Sequence, residues 1–217
     1  MSNEKISIIN KALEWSYGAV VGDKNPLKNA KQIADEYLTK CKGNKMDAAK
    51  TFIKNREKYC FTAGFITGLG GLIALPVSIP ASLTALIYLQ IQIAAVIASI
   101  AGYDLNSDEV KTAIYTCLAG LSAKEITKEF GVKVGNKLAF NVIKCLPGKV
   151  ILKINSVVGF RLLTKLGEKG FLNLGKIVPV AGGIVSGLLD LFSAKAVGKY
   201  SIDMFLEEER SNSGVKP

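Results

Sequence analysis

The sequence predicts an all-α chain, a single compact helical domain around an apolar hairpin interrupted by glycine and proline. Three observations predict it. Apolar residues recur three and four apart through the first 58 residues. A run from Tyr59 to Tyr103 carries no charged residue, and prolines divide it into two helix-length pieces. No segment alternates like a strand beyond short pieces such as KVILKI. With 217 residues, the chain is long enough for one sizeable core and short for several.

Residues 1–58 read as amphipathic N-terminal helices. Ile6, Ile9, Leu13 and Tyr17 mark the first before a break at GDKNP, Ile33, Ala34, Tyr37 and Leu38 the second before KGN, and MDAAKTFIKNREKY the third. Residues 59–103 form the hairpin. Pro76 and Pro80 remove backbone donors and disfavour helix in the residue before each, so PVSIP reads as the turn. The front piece, Phe61 to Leu75, would span about 22 Å as a helix, short of a hydrocarbon layer of roughly 30 Å. The back piece, Ala81 to Tyr103, is long enough to cross, but its Gln90 and Gln92 would need partners in lipid. A re-entrant or reversible hairpin therefore fits as well as a spanning pair, and a buried soluble core stays open beside both.

Residues 104–176 begin with GYDLNSDE, where Asn106 or Ser107 can cap a helix from Val110 to Phe130 that ends at Gly131. From Gly131 to Lys176, nine cations (Lys133, Lys137, Lys144, Lys149, Lys153, Arg161, Lys165, Lys169 and Lys176) face Glu168 alone. Residues 177–206 hold a second apolar glycine segment, IVPVAGGIVSGLL, and a last helix from Asp190 into FLEEER; a tail occupies 207–217.

The net charge of +10 favours an anionic partner: nucleic acid, an anionic bilayer or an acidic protein. Histidine is absent, which removes Ser-His-Asp and Cys-His constellations, HExxH zinc sites and imidazole pH switches. Cys41, Cys60, Cys117 and Cys145 are far apart without a CxxC pair, and the polar start MSNEKISIIN lacks a signal-peptide core. They read as small buried hydrophobes in a reducing compartment. GLGGLI at 68–73 imitates a dinucleotide loop, but Ile73 replaces the third glycine, no strand precedes it and no acidic residue follows before Asp104. There is no P-loop, and no nucleic-acid-binding signature accompanies the basic block. Carboxylates that could work as an acid/base pair are scarce in the apolar half: Asp104, Asp108, Glu168, Asp190 and Asp203, with Asp104 placed as a loop or cap residue.

Gly64 and Gly68, and again Gly183 and Gly187, form GxxxG pairs that let helix backbones approach closely, in lipid or in a tight soluble core. Each lysine or arginine near an anionic leaflet adds on the order of 1 kcal/mol of attraction. Lys149, Lys153, Arg161, Lys165 and Lys169 are the candidate headgroup ligands, and Gly64, Gly68, Gly71, Pro76 and Pro80 shape the hairpin.

Taken together, GFITGLGGLIALPVSIPASL, IASIAGYDLNSDEVK, INSVVGFRLLTKLGEKGFLNLGKIVPVAGGIVSG and DLFSAKAVGKYSIDMF resemble the EcsC protein family, from about Ala12 to Phe205. The hairpin counterparts are Gly64, Gly68, Gly70, Gly71, Pro76 and Pro80. The later block supplies Asn155, Gly159, Phe160, Arg161, Lys165, Gly167, Lys169, Gly170, Pro179, Gly182 and Gly183. The resemblance implies a bacterial, mainly helical, membrane-associated protein, from a family whose namesake is encoded beside an ABC transporter; it supplies no reaction, catalytic residue, cofactor or metal.

The expectation is a non-enzymatic protein on the cytoplasmic face of the membrane that docks on or inserts into anionic lipid, in support of a transporter or other membrane complex, with self-association through the glycine segments allowed. Alternatives are a cytoplasmic helical bundle binding a hydrophobic ligand or a partner protein, a permeabilising protein, and an interfacial lipid-modifying enzyme using Asp104 or Asp190.

Overall fold

The computed structural model describes residues 3–23, 27–60, 81–120 and 194–206, together with single helical positions at Ile143, Gly148, Ile151 and Ile154. Six helices run through these segments: α1 (Asn3–Val21), α2 (Ala30–Lys40), α3 (Lys45–Cys60), α4 (Ala81–Ala101), α5 (Asp108–Ala119) and α6 (Ala194–Phe205). No strand occurs among the described residues, so the fold is all-α.

Local sequence sets the helix ends. Asn29 caps α2 in a reciprocal box: its side-chain oxygen accepts from the Gln32 amide at 2.9 Å, and the Gln32 side chain accepts from the Asn29 amide at 3.1 Å. Ser107 caps α5 by accepting from the Val110 amide at 3.3 Å. The helix expected from Val110 to Phe130 instead stops at Ala119. Gly120 takes the left-handed conformation at φ 66°, and its N–H turns back to the carbonyls of Thr116 and Cys117. A glycine reaches that conformation without the steric cost a Cβ would impose, and this one ends the helix eleven residues before Gly131.

The first two helices bury the stripes their periodicity marks, with Ile9, Leu13, Tyr17, Ile33 and Ala34 all in the core. The axis of the bundle is α4. Each of the other five helices packs against it, and every side chain from Ile87 to Ala98 is buried. A helix without a polar face needs a surround on all sides, and here protein provides it. The described surroundings of α4 cover Thr84 and the fifteen residues from Ile87 to Ala101. No described stretch is long and apolar enough to cross a membrane. The back half of the 59–103 run is thus the core helix in this conformation, which leaves 61–80 as the uncharged segment joining α3 to α4. Ile143, Ile151 and Ile154 are buried in the same core, whereas Gly148 is exposed.

Close helix packing is visible at a glycine outside the GxxxG pairs. At Gly198 of α6, an added Cβ would lie 2.5 Å and 2.7 Å from two side-chain carbons of Ile53 on α3. Gly198→Ala gains about 1 kcal/mol of helix propensity, but overpacking costs about 1–3 kcal/mol, so a net loss of stability is expected. The double variant Gly198→Ala, Ile53→Ala should lose less than the sum of the singles in urea unfolding. Strict additivity would show that α3 and α6 do not meet there.

Candidate functional site

The hairpin residues Gly64, Gly68, Gly71, Pro76 and Pro80, the packing glycines Gly183 and Gly187, and the headgroup candidates Lys149, Lys153, Arg161, Lys165 and Lys169 all lie outside the described residues. What the described helices do assemble is a cleft of about 420 Å³ between α2, α3 and α4, within the range of small-ligand sites.

Three local features build it. On α2, Ile33, Glu36, Tyr37 and Lys40 fall three and four residues apart and so share a face, extended by Leu27 and Lys28 just before the helix. On α3, Asn55 and Arg56 form the opposite wall. On α4, Tyr88 and Gln92, one turn apart, form the buried floor. Arg56 lies four residues before the end of α3, and Tyr88 seven residues after the start of α4. At 1.5 Å per residue, segment 61–80 therefore joins the body within roughly 10 Å of helix from the cleft.

The walls are held by aromatic contacts. The Tyr37 hydroxyl accepts from the Asn55 side-chain amide at 3.0 Å, and the Tyr37 and Phe52 rings meet edge to face at 5.2 Å. The Lys40 ammonium lies 5.0 Å from the Tyr37 ring centre and the Arg56 guanidinium 5.5 Å from that of Phe52. Lys28 pairs with Glu36 at the rim, and its hydrogen bond holds the Glu36 carboxyl below its usual range. Among the described lining residues, three cations stand against one carboxylate, a formal charge of two positive. Burial pushes the Tyr88 phenol up, opposed by the Arg56 charge, so the group stays a neutral donor and acceptor. The Gln92 side chain, 4% exposed, donates to the Tyr88 hydroxyl at 3.4 Å, while its carbonyl oxygen has no hydrogen-bond partner among the described residues. Cations, neutral hydroxyls and an amide in a half-apolar cleft suit binding. The described lining residues pair no nucleophile with a base.

A second polar cluster ties α1 to α5. The Lys111 ammonium lies 2.6 Å from a Glu14 carboxylate oxygen and stands 5.2 Å from the Tyr17 ring centre and 5.8 Å from that of Tyr115. The Tyr17 hydroxyl donates to the Leu105 carbonyl at 2.6 Å, and Tyr115 donates to Glu14 at 3.3 Å. Burial first, then nearby carboxylates, push both phenols far up. These contacts fasten the 102–107 turn to the bundle.

Asp104 is exposed and accepts from the backbone and side-chain amides of Asn106 at 3.0 and 3.1 Å, the turn role its sequence context indicates. Asp108 is exposed in the first turn of α5, Asp203 is half-buried on α6, and Glu168 and Asp190 lie outside the described residues. Cys117 is buried and its thiol is pushed up to about 12, first by burial, which makes it inert; Cys41 is half-buried. Among the described residues no group of His, Cys, Asp or Glu is arranged to hold a metal ion.

Sequence reasoning missed the cleft cations because Lys28, Lys40 and Arg56 sit on ordinary amphipathic helices and nothing in their spacing sets them apart. A signal did exist at Gln92, whose amide in an uncharged run required an explanation. Compared with protein-family models, curated proteins and solved structures, the chain matches none.

Proposed function

We propose that this protein is a non-enzymatic, membrane-associated helical protein that docks on anionic bilayers at the cytoplasmic face of a bacterial membrane. The observation that carries the reading is the segregation of charge: nine cations against one carboxylate between residues 131 and 176, bordered on the C-terminal side by the apolar segment 177–189. The other uncharged apolar segment, 61–80, lies in sequence between α3 and α4, both of which line the basic cleft. Apolar burial supplies most of the attraction, and the lysines and arginine set the preference for anionic lipid. The resemblance to the EcsC family points the same way, as does support of a membrane complex as the cellular role.

Because α4 is the core of the described bundle, the inserting elements of this reading are 61–80 and 177–189, and the bundle remains folded on the surface. Co-sedimentation with vesicles tests it. The detergent-free protein is expected to pellet with anionic vesicles at low salt, to bind less but still measurably at high salt, and to bind zwitterionic vesicles weakly. Replacing Lys149, Lys153, Arg161, Lys165 and Lys169 together by glutamine should weaken anionic binding at least about tenfold. Protein that stays in the supernatant in every condition would sink the membrane reading. It would favour the second one, a bundle that binds an amphiphile in solution, for which the burial of α4 and the cleft are the supporting observations.

A further inference from the structure

Building on the membrane reading, we propose that the seam between α3 and α6 is the face of the bundle that docks on anionic lipid. Lys50, Lys54, Lys195 and Lys199 hold the headgroups, and the end of the bundle that bears Cys60, Ala81 and Ala194 turns toward the bilayer.

Helix directions define that end. Lys45, the first residue of α3, donates to the carbonyl of Ala101, the last residue of α4, at 3.4 Å, while Asn55 further along α3 lines the cleft with Tyr88 of α4. The two helices therefore run antiparallel. The Phe205 ring at the end of α6 lies 5.4 Å from that of Tyr103, just past α4, and Gly198 meets Ile53, so α6 also runs antiparallel to α3. The C-terminus of α3 and the N-termini of α4 and α6 thus share one end. In sequence, 61–80 joins the first two of these termini, and 177–189 is separated from the third only by 190–193. Two apolar segments far apart in the chain are tethered to the same end of the bundle.

Charge is ordered along both helices in the same spatial sense. On α3, Asp47 stands in the first turn, away from that end, and Lys50 and Lys54 lie nearer to it. On α6, Lys195 stands in the first turn, Lys199 one turn on and Asp203 in the last. The order on α6 is the reverse of what the helix dipole favours, so helix stability does not account for it. The four lysines also bracket the contact between the helices. Lys50 and Lys54 lie three residues before and one after Ile53, and Lys195 and Lys199 three before and one after Gly198. All four are exposed, and none forms an ion pair among the described residues. Glu57 and Lys58, further along α3, cancel in formal charge. Tyr200, 38% exposed beside Lys199, adds an aromatic ring of the kind that favours a headgroup layer. The opposite end mixes signs, with Asp47, Asp104 and Asp108 exposed there beside Lys42. Ammoniums near the root of two apolar segments match a bilayer, in which negative headgroups overlie hydrocarbon; nucleic acid offers only the charge.

Lysine footprinting of the detergent-free full chain tests this face. The protein would be lightly acetylated, free and then bound to vesicles of phosphatidylglycerol and phosphatidylcholine, which carry no primary amine, and the modified sites read by mass spectrometry. Lys50, Lys54, Lys195 and Lys199 are expected to react several-fold more slowly on vesicles. Lys11, Lys31 and Lys42, exposed on α1, α2 and the turn after α2, should react at an unchanged rate. In co-sedimentation, replacing the four seam lysines together by glutamine should weaken binding at least about tenfold, since each adds attraction near the leaflet. Replacing Lys11, Lys31, Lys40 and Lys42 together removes the same charge, but farther from the leaflet, where salt screens it, and should weaken binding less than about threefold.

Uniform protection, or protection of Lys11, Lys31 and Lys42 with the seam lysines still reactive, would overturn the assignment of this face and leave bilayer docking intact. Equal losses in the two fourfold variants would do the same. A chain that binds no vesicle would remove docking and face together. The footprint uses the unaltered protein, so it stays decisive even where a variant does not fold.

Discussion

Ile97→Ala is expected to lower the unfolding free energy by about 2–5 kcal/mol, measured by urea denaturation of the detergent-free protein. Ile97 has no exposed surface and lies in the part of α4 buried on every face. Removing its side chain forfeits transfer free energy and leaves a cavity that helices on several sides cannot all collapse to fill. Set against a total stability of roughly 5–15 kcal/mol, such a loss is large. Lys31→Ala, on the exposed side of α2, serves as the control and should fall within about 0.5 kcal/mol of the parent. An Ile97 variant as stable as that control would mean that α4 is not the core in solution, and would return it to the list of elements able to enter a bilayer. The result therefore bears on the proposed docking: a strong effect would leave 61–80 and 177–189 as the candidates for insertion and remove α4.

Alkaline pH should unfold the protein cooperatively. Cys117 has its thiol raised from 9.0 to about 12, and Tyr17 and Tyr115 have their phenols raised beyond that, each chiefly by burial. For all three groups the neutral form is favoured in the folded state. At neutral pH both states are protonated and the shifts cost nothing. Once pH exceeds the unfolded value, the unfolded chain has released protons that the folded chain retains, so stability falls with rising pH. Each group steepens that fall by about 1.4 kcal/mol per pH unit, Cys117 from about pH 9 and the tyrosines from about pH 10. By about pH 11 the combined loss is on the order of 5 kcal/mol, comparable with the whole stability of a modest domain. Helical circular dichroism and phenolate absorbance, followed together, should show Tyr17 and Tyr115 ionising in step with helix loss. If all seven tyrosines ionise smoothly around pH 10 with helicity intact, the burial of the α1 and α5 phenols is wrong.

Much of the helical scaffold was legible in the residues. The Ile9, Leu13, Tyr17 stripe and the Ile33, Ala34 pair mark buried faces because a 3.6-residue period places them on one side of a helix. Asn106 and Ser107 both offer a short side chain that can accept from a first-turn amide, and the structure uses Ser107. The end of α5 was misread, since both Gly120 and Gly131 can close a helix and local chemistry does not rank them. The packing glycine Gly198 gave no GxxxG signal, because its partner is Ile53 on a helix far away in sequence.

From the residues alone came the helical class, the uncharged central run, the concentration of positive charge after residue 131, and the exclusion of every histidine-dependent chemistry. Composition and short-range period suffice for these, because they depend on what each residue is and on its near neighbours. Hydropathy is the same for an apolar helix in lipid and in protein, so only tertiary contacts distinguish them, and in the structure five neighbouring helices pack against α4. The cleft belongs to the same category. Lys28, Lys40, Arg56 and Gln92 come from three separate stretches of chain, and only the packing of α2 and α3 on α4 brings their charges and the unmatched amide to one place.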